Sequence, residues 1–410
     1  MIYKEEVLGN YINILSGFAF KTKDFVDVGI PIIKIKNICP PYVSLEDLTY
    51  VSKETGEKQK KFMLSYDDVL IAMTGSHINQ WTSVVGRVAR VKYTEKTLLN
   101  QRVGKITVKE NADADLDYIY YFLSQDKVKV QLAAKAGGTA NQANISATHI
   151  QELVFPCPNI ETQIRISNIL KNYDDLIENN KKQIKLLEEA AERLYREWFV
   201  DLHFPGHEDV KIVDGVPEGW KKQKISEFGE IITGKTPSTT KEQYYGGNIP
   251  FVKIPDMHNC VYPIVTESTL TTEGANTQKN KFIPKNGIMV SCIATVGLVN
   301  IAIEPCQTNQ QINSIVLHDE QDLYYTYFTM KRLKALLEGV GSNGATMTNV
   351  NKTKFGNLEV LYPSNNLRKD YFDYCKPIFE KIYALSIGVH KLSQVRDGLL
   401  PKLMSGEIEV

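Results

Sequence analysis

The chain has 410 residues, 43% hydrophobic and 23% charged, which suits a folded protein of two to four units and excludes a disordered one. Its 48 basic and 48 acidic side chains cancel, so the total does not advertise nucleic-acid binding, although a neutral chain can still carry a basic face. Six scattered cysteines without zinc-knuckle spacing, a start that is quickly charged and no apolar run long enough for a bilayer predict a reducing cytoplasm and no membrane.

From the N-terminus, short apolar runs at 30–35, 69–73 and 103–108 are expected strands separated by turn residues. An aromatic-rich helix is expected over 118–134. A Gly/Asn segment, Gly137-Gly138-Thr139-Ala140-Asn141-Gln142-Ala143-Asn144, leads to an extended stretch ending at Phe155-Pro156. Residues 161–200 then contain neither proline nor glycine. Ile166, Tyr173, Asn180, Leu187 and Leu194 recur every seven residues, interleaved with Leu170, Ile177, Ile184, Ala191 and Trp198. That beat predicts a coiled-coil helix roughly 60 Å long which needs a partner helix, with Asn180 as the polar register residue.

The chain then repeats itself. Ile14-Leu15-Ser16-Gly17 and Gly29-Ile30-Pro31 are echoed by Ile231-Ile232-Thr233-Gly234 and Asn248-Ile249-Pro250. Asp68-Val69-Leu70-Ile71-Ala72 is echoed by Gly287-Ile288-Met289-Val290-Ser291, and Asn100-Gln101-Arg102-Val103 by Asn309-Gln310-Gln311-Ile312. The aromatic stretch, the Gly/Asn segment and the closing proline recur in the same order. A second seven-residue pattern follows: Tyr371, Ile378, Leu385, Leu392 and Leu399, interleaved with Cys375, Ile382, Val389, Arg396 and Leu403. Pro377 is expected near its start, Gly388 to interrupt it, Arg396 to loosen its seam, and Gly398 and Pro401 to mark its end.

The expected fold is therefore α+β: two repeated mainly-β domains joined by two long antiparallel coiled-coil helices, as a pseudo-twofold monomer. The expected boundaries are 1–157 for the first domain, 158–203 for the first long helix and 204–216 for a linker. The second domain would span 217–363, and the second helix and tail 364–410.

Catalytic motifs fail on context. Gly229-Glu230-Ile231-Ile232-Thr233-Gly234-Lys235-Thr236 matches a phosphate-binding loop as a string, but Glu230 and two isoleucines make a poor anion nest. Cys39-Pro40-Pro41-Tyr42 lacks the polar first residue of an amino-methyltransferase loop. Pro255-Asp256 lacks the acidic-x-lysine pair of a nuclease. His203 and His207 flank a helix-breaking Phe204-Pro205-Gly206. No catalytic or metal residue is expected.

Groups suited to DNA are present instead. Lys58, Lys60, Lys61, Arg87, Arg90 and Lys92 in the first copy, with Lys279 and Lys281 in the second, can neutralise phosphates. Shorter polar residues suited to base edges are Thr74, Ser76, His77, Asn79, Gln80, Asn141, Gln142 and Asn144, then Thr236, Ser238, Thr239, His258, Asn259, Ser342 and Asn343. The competing reading is a coiled-coil adaptor that binds protein only. It leaves the matched basic clusters unexplained.

Taken in order, several strings resemble the specificity subunits of type I restriction-modification systems. They are Ser16-Gly17-Phe18-Ala19-Phe20, Ala143-Asn144-Ile145-Ser146, Leu194-Tyr195-Arg196-Glu197-Trp198-Phe199-Val200, Pro217-Glu218-Gly219-Trp220 and the closing Leu399-Leu400-Pro401-Lys402-Leu403-Met404-Ser405-Gly406-Glu407-Ile408. The resemblance implies a non-catalytic subunit whose two target recognition domains each read half of a split, asymmetric site in double-stranded DNA. It implies that the helices dock two methyltransferase subunits, which restriction subunits join. Docking would fall on the first-helix seam above and on Ile378, Ile382, Leu385, Val389, Leu392 and Leu399 of the second. No cofactor is then expected in this chain; S-adenosylmethionine, Mg2+ and ATP would belong to the partner subunits.

Overall fold

The computed structural model describes residues 3–75, 85–137, 143–341 and 350–410. They form two compact units: 1–175 with 393–410, and 176–392.

In the first unit, alternating apolar residues build a six-stranded sheet. Its order is Ile12–Ser16, Val103–Val108, Val69–Ala72, Val88–Arg90, Tyr42–Val43, Ile38–Cys39. Val69–Ala72 is buried on both faces, which suits its unbroken apolar run. A second sheet runs Leu98–Leu99, Ile30–Ile33, Thr49–Val51, Phe25–Val26. Helix Leu116–Ser124 carries the aromatic stretch into the core, and the expected single helix over 118–134 is in fact two. Gln125, extended at ψ 138°, separates Leu116–Ser124 from Asp126–Ala134. The Gln125 side chain bonds back to the Phe122 carbonyl at 3.2 Å, giving that carbonyl an acceptor role which the broken helix would have filled. The start of the first long helix, with Ile166 and Leu170, and the end of the second, with Leu403 and Met404, share this core.

The second unit repeats the plan. Its sheet runs Gly229–Thr233, Ile312–Leu317, Ile288–Ser291, Val299–Ile301. A companion sheet runs Ser268–Leu270, Tyr245–Val252, Gln307–Thr308. Helix Leu323–Arg332 takes the place of Leu116–Ser124. The expected linker contains a small hairpin, Ile212–Val213 with Val216–Pro217. Here the end of the first long helix and the start of the second run antiparallel. The Tyr371 hydroxyl donates to the Ala191 carbonyl at 3.0 Å, and further along Gly388 lies against Asn180.

The first long helix spans Ile160–Phe199, close to expectation. Ile166, Leu170, Ile177 and Ala191 are buried, whereas Tyr173, Asn180, Ile184, Leu187, Leu194 and Trp198 are half-buried. Tyr195 and Phe199, outside the seven-residue rows, are buried against the second core. The second helix corrects the sequence reading. It runs unbroken over Asn365–Ser405, through Pro377, Gly388, Gly398 and Pro401. Proline costs an interior helix about 3 kcal/mol, but Pro377 is flanked by buried Tyr371, Cys375, Phe379 and Ile382, whose burial outweighs it. Gly388 does not break the helix, nor is it needed for close approach: a Cβ there would meet the Asn180 amide nitrogen at an ordinary contact distance of 3.4 Å. Arg396 does not loosen the first unit either. Its guanidinium donates to Asp174 at 2.7 Å, and Asp174 also accepts from the Tyr121 hydroxyl at 2.7 Å.

Candidate nucleic-acid interface

Strand register brings separate turns to one end of each main sheet. In the first unit Gly104 pairs with Ser16 and Val103 with Ala72, so the chain leaves all three strands together. The Asn100-Gln101-Arg102 turn packs on Gly17, where a Cβ would fall well inside 3.0 Å of the Asn100 carbonyl. That close approach explains the glycine and its repeat at Gly234, which packs on Asn309 in the same way. The Met73 N–H donates to the Arg102 carbonyl at 2.8 Å, and the Ile145 N–H to the Met73 carbonyl at 2.9 Å. Thr74–Gly75 then pairs with Ala143–Asn144, so the segments bounding 76–84 and 138–142 start from one stem. The buried Thr74 hydroxyl donates to Asn144 Oδ1 at 2.8 Å. The second unit repeats the arrangement. Cys292 N–H donates to the Gln311 carbonyl at 2.8 Å, Val350 N–H to the Cys292 carbonyl at 2.9 Å, and Lys235 N–H to the Thr308 carbonyl at 2.9 Å.

Several of the residues singled out in the sequence converge there. Thr74 and Asn144 form the first stem, and Arg87 adjoins it through its carbonyl, which accepts from Ala72 N–H at 2.9 Å. In the second unit Thr236 donates to Gln310 Oε1 at 2.7 Å, Ser238 bonds the Thr240 hydroxyl at 2.9 Å, and Thr239 is exposed. Ser76, His77, Asn79, Gln80, Asn141, Gln142, Ser342 and Asn343 lie outside the described residues. The basic turns match between copies: Lys60–Phe62 precedes the Met63–Leu98 bridge, and Lys279–Lys281 precedes the Ile283–Cys306 bridge. Lys58 is paired with Glu54 and Lys60 with Glu57, each at 2.7 Å, while Lys61 and Lys279 are exposed without an ion pair among the described residues. Lys281 is half-buried.

Other residues are placed elsewhere. Arg90, expected in an exposed basic cluster, is buried; its guanidinium bonds Asp117 at 2.6 Å and lies 4.2 Å over the Tyr120 ring. Lys92 follows it at the far end of the sheet. Burial works against its charge, but the Asp67 carboxylate prevails and holds its pKa above the usual lysine value. His258 and Asn259 are exposed on a turn that joins the sheet beside Ile301, also at its far end.

This doubled framework has a family. The type I restriction modification DNA specificity domain matches residues 4–189 and again 217–382. The HindI specificity subunit of Haemophilus influenzae is 34% identical over 340 residues, covering 68% of this chain and 73% of that protein. The chain belongs to the type I restriction-modification specificity subunits. The MjaIX specificity subunit of Methanocaldococcus jannaschii is 26% identical, with 80% of this chain and 76% of that protein covered. A crystal structure of the S subunit from M. genitalium shares the fold at a TM-score of 0.61 and 16% identity, covering 98% of this chain and 96% of that one. The subunit recognises DNA sequence for partner methyltransferase and restriction subunits and is itself non-catalytic.

The tempting motifs of this specificity subunit have structural uses. Gly229–Thr233 is a strand, not a loop, which removes the phosphate-cradling geometry. Cys39-Pro40-Pro41-Tyr42 turns a hairpin between Ile38–Cys39 and Tyr42–Val43. Asp256 accepts the backbone N–H groups of Lys253 and Glu267, each at 2.8 Å. His203 bonds Glu197 and His207 bonds the Phe204 carbonyl. Burial pushes the thiols of Cys260, Cys306 and Cys375 up to about 12 and that of Cys292 to about 11, so they stay protonated. The sequence reading missed Lys235, Gln310 and Arg102 as exposed groups at the sheet ends. The signal was available, because the Asn-Gln strings repeat, but only the strand register shows which way those turns face.

Proposed function

We propose that each copy reads one half of a bipartite, asymmetric duplex site, through the turns gathered at its sheet end. The observation that carries this reading is the recurrence of one construction in both units: Gly17 or Gly234 packed on an Asn-Gln turn beside the stem of a Gly/Asn segment. Base reading needs short polar groups held on a rigid scaffold, and both ends supply them. Within this reading the recognition domains are 1–157 and 217–363, with 158–203 and 364–410 as the helical spacer and tail and 204–216 as linker. Thr74, Asn144, Thr236, Ser238 and Thr239 stand at the base-reading ends, with Lys58, Lys60, Lys61, Arg87, Lys279 and Lys281 as candidates for phosphate.

The long helices supply the spacing between half-sites and the surface for two adenine methyltransferase subunits, which would hold the S-adenosylmethionine. Mg2+ and ATP would serve the restriction subunits. No helix among the described residues is long and apolar enough to cross a membrane, and we place the work in the cytoplasm.

A gel shift of the subunit with its methyltransferase partner tests this. Binding to duplex DNA should weaken by about three orders of magnitude between 50 and 200 mM salt, as several phosphate contacts require. Absent or salt-insensitive binding to every duplex would contradict it.

A further inference from the structure

We propose that Lys235 reads a guanine in the half-site of the second copy, and that two buried amides, Gln278 and Gln307, exist to position it. The inference rests on the sheet end facing DNA, but not on any particular target sequence.

Lys235 is exposed, and among the described residues no carboxylate lies within ion-pair distance of its ammonium. Its backbone, by contrast, is held on both sides. The N–H donates to the Thr308 carbonyl at 2.9 Å, and the carbonyl accepts from Gln278 Nε2 at 2.6 Å. Gln278, 4% exposed, also donates to Gln307 Oε1 at 2.8 Å. Gln307, fully buried, anchors the chain on the Ala275 and Gln278 carbonyls. The network is not self-sufficient, since among the described residues Gln278 Oε1 and Thr308 Oγ1 are buried without a partner. Burying unsatisfied polar atoms costs stability, so the fold alone gives no reason to keep them.

The first copy supplies the control. Leu98–Leu99 pairs in parallel with Ile32 and Ile33, as Gln307–Thr308 pairs with Phe251 and Val252. The next residue, Asn100 or Asn309, donates to Ile33 or Val252 at 3.2 Å in each case. Leucines therefore fill the same two places in the same scaffold, both fully buried. At the position of Lys235 the first copy has Phe18, packed on Phe20 and Phe62. Gln59 stands where Gln278 does, before the matching basic turn, but it is only half-buried. One copy seals the rest of this corner with Phe18, Leu98 and Leu99; the other sets Gln307 and Thr308 there and presents a lysine. A phosphate contact needs no such rigidity, whereas donation to the O6 and N7 acceptors of guanine does.

The test uses the subunit bound to its methyltransferase and the DNA site mapped by methylation in cells making that complex. Binding is measured at fixed salt to duplexes carrying the mapped site and each single base-pair change. Lys235→Met should weaken binding to the mapped site by about tenfold and abolish discrimination at one G·C pair of the second half-site. Lys235→Arg should keep part of it. The Gln278→Leu, Gln307→Leu double variant should lose the same discrimination while the first half-site is read normally. Unchanged discrimination in Lys235→Met overturns the proposal. So does an equal loss on every duplex, which would make Lys235 a phosphate contact. Should the double variant fail to fold, the exposed Lys235 variants still decide it. DNA binding that fails in the unaltered complex would instead sink the functional reading itself.

Discussion

The two copies fix the start of the helix that follows them by different chemistry at the same place. In the first unit Gln163, fourth residue of its helix, accepts from the Asp115 N–H at 3.0 Å and donates to the Pro158 carbonyl at 2.8 Å and the Asp113 carbonyl at 3.3 Å. In the second unit the fourth residue is Arg368. It bonds Asp322, which also accepts from the Tyr362 hydroxyl at 2.8 Å, and its guanidinium stacks 4.1 Å over the Tyr362 ring. Asp115 and Asp322 both stand just before the aromatic helix of their copy. A neutral amide and a buried ion pair thus do one job. The scaffold demands that helix and domain be locked together, and leaves the means open.

That comparison predicts unequal costs. Arg368→Leu strands the buried Asp322 carboxylate and should destabilise the protein by about 3–5 kcal/mol in denaturant unfolding. Gln163→Leu leaves neutral backbone groups unpaired and should cost about 1–3 kcal/mol. Equal losses would break the distinction between the two locks. Smallest in size and opposite in sign, Gly388→Ala should raise stability by about 1 kcal/mol, because alanine favours helix and the Asn180 contact is an ordinary one. A loss on that substitution would mean the helices require the glycine.

Periodic features were legible before any coordinates. The repeat, the strands at 69–72 and 103–108 and the first long helix follow from spacing that backbone geometry imposes. Local breakers were misleading: Pro377, Gly388, Gly398 and Pro401 sit in one helix because packing from other parts of the chain outweighs their propensities. Charge was misread where partners are distant in sequence. Arg90 looks free beside Lys92 until Asp117 is brought to it, and Arg396 looks like a flaw until it meets Asp174. In the sequence Lys235 belongs to a string that matches a phosphate-binding loop and fails as one. Its importance emerges only when Gln278 and Gln307 are seen beneath it.

The central claim is that each unit reads its own half of the site. Residues 1–157 should be exchanged for the first domain of another family member, and methylated sites mapped genome-wide in cells carrying the hybrid complex. One half of the recognised sequence should change while the other half is kept. Alteration of both halves, or of neither, would contradict the account.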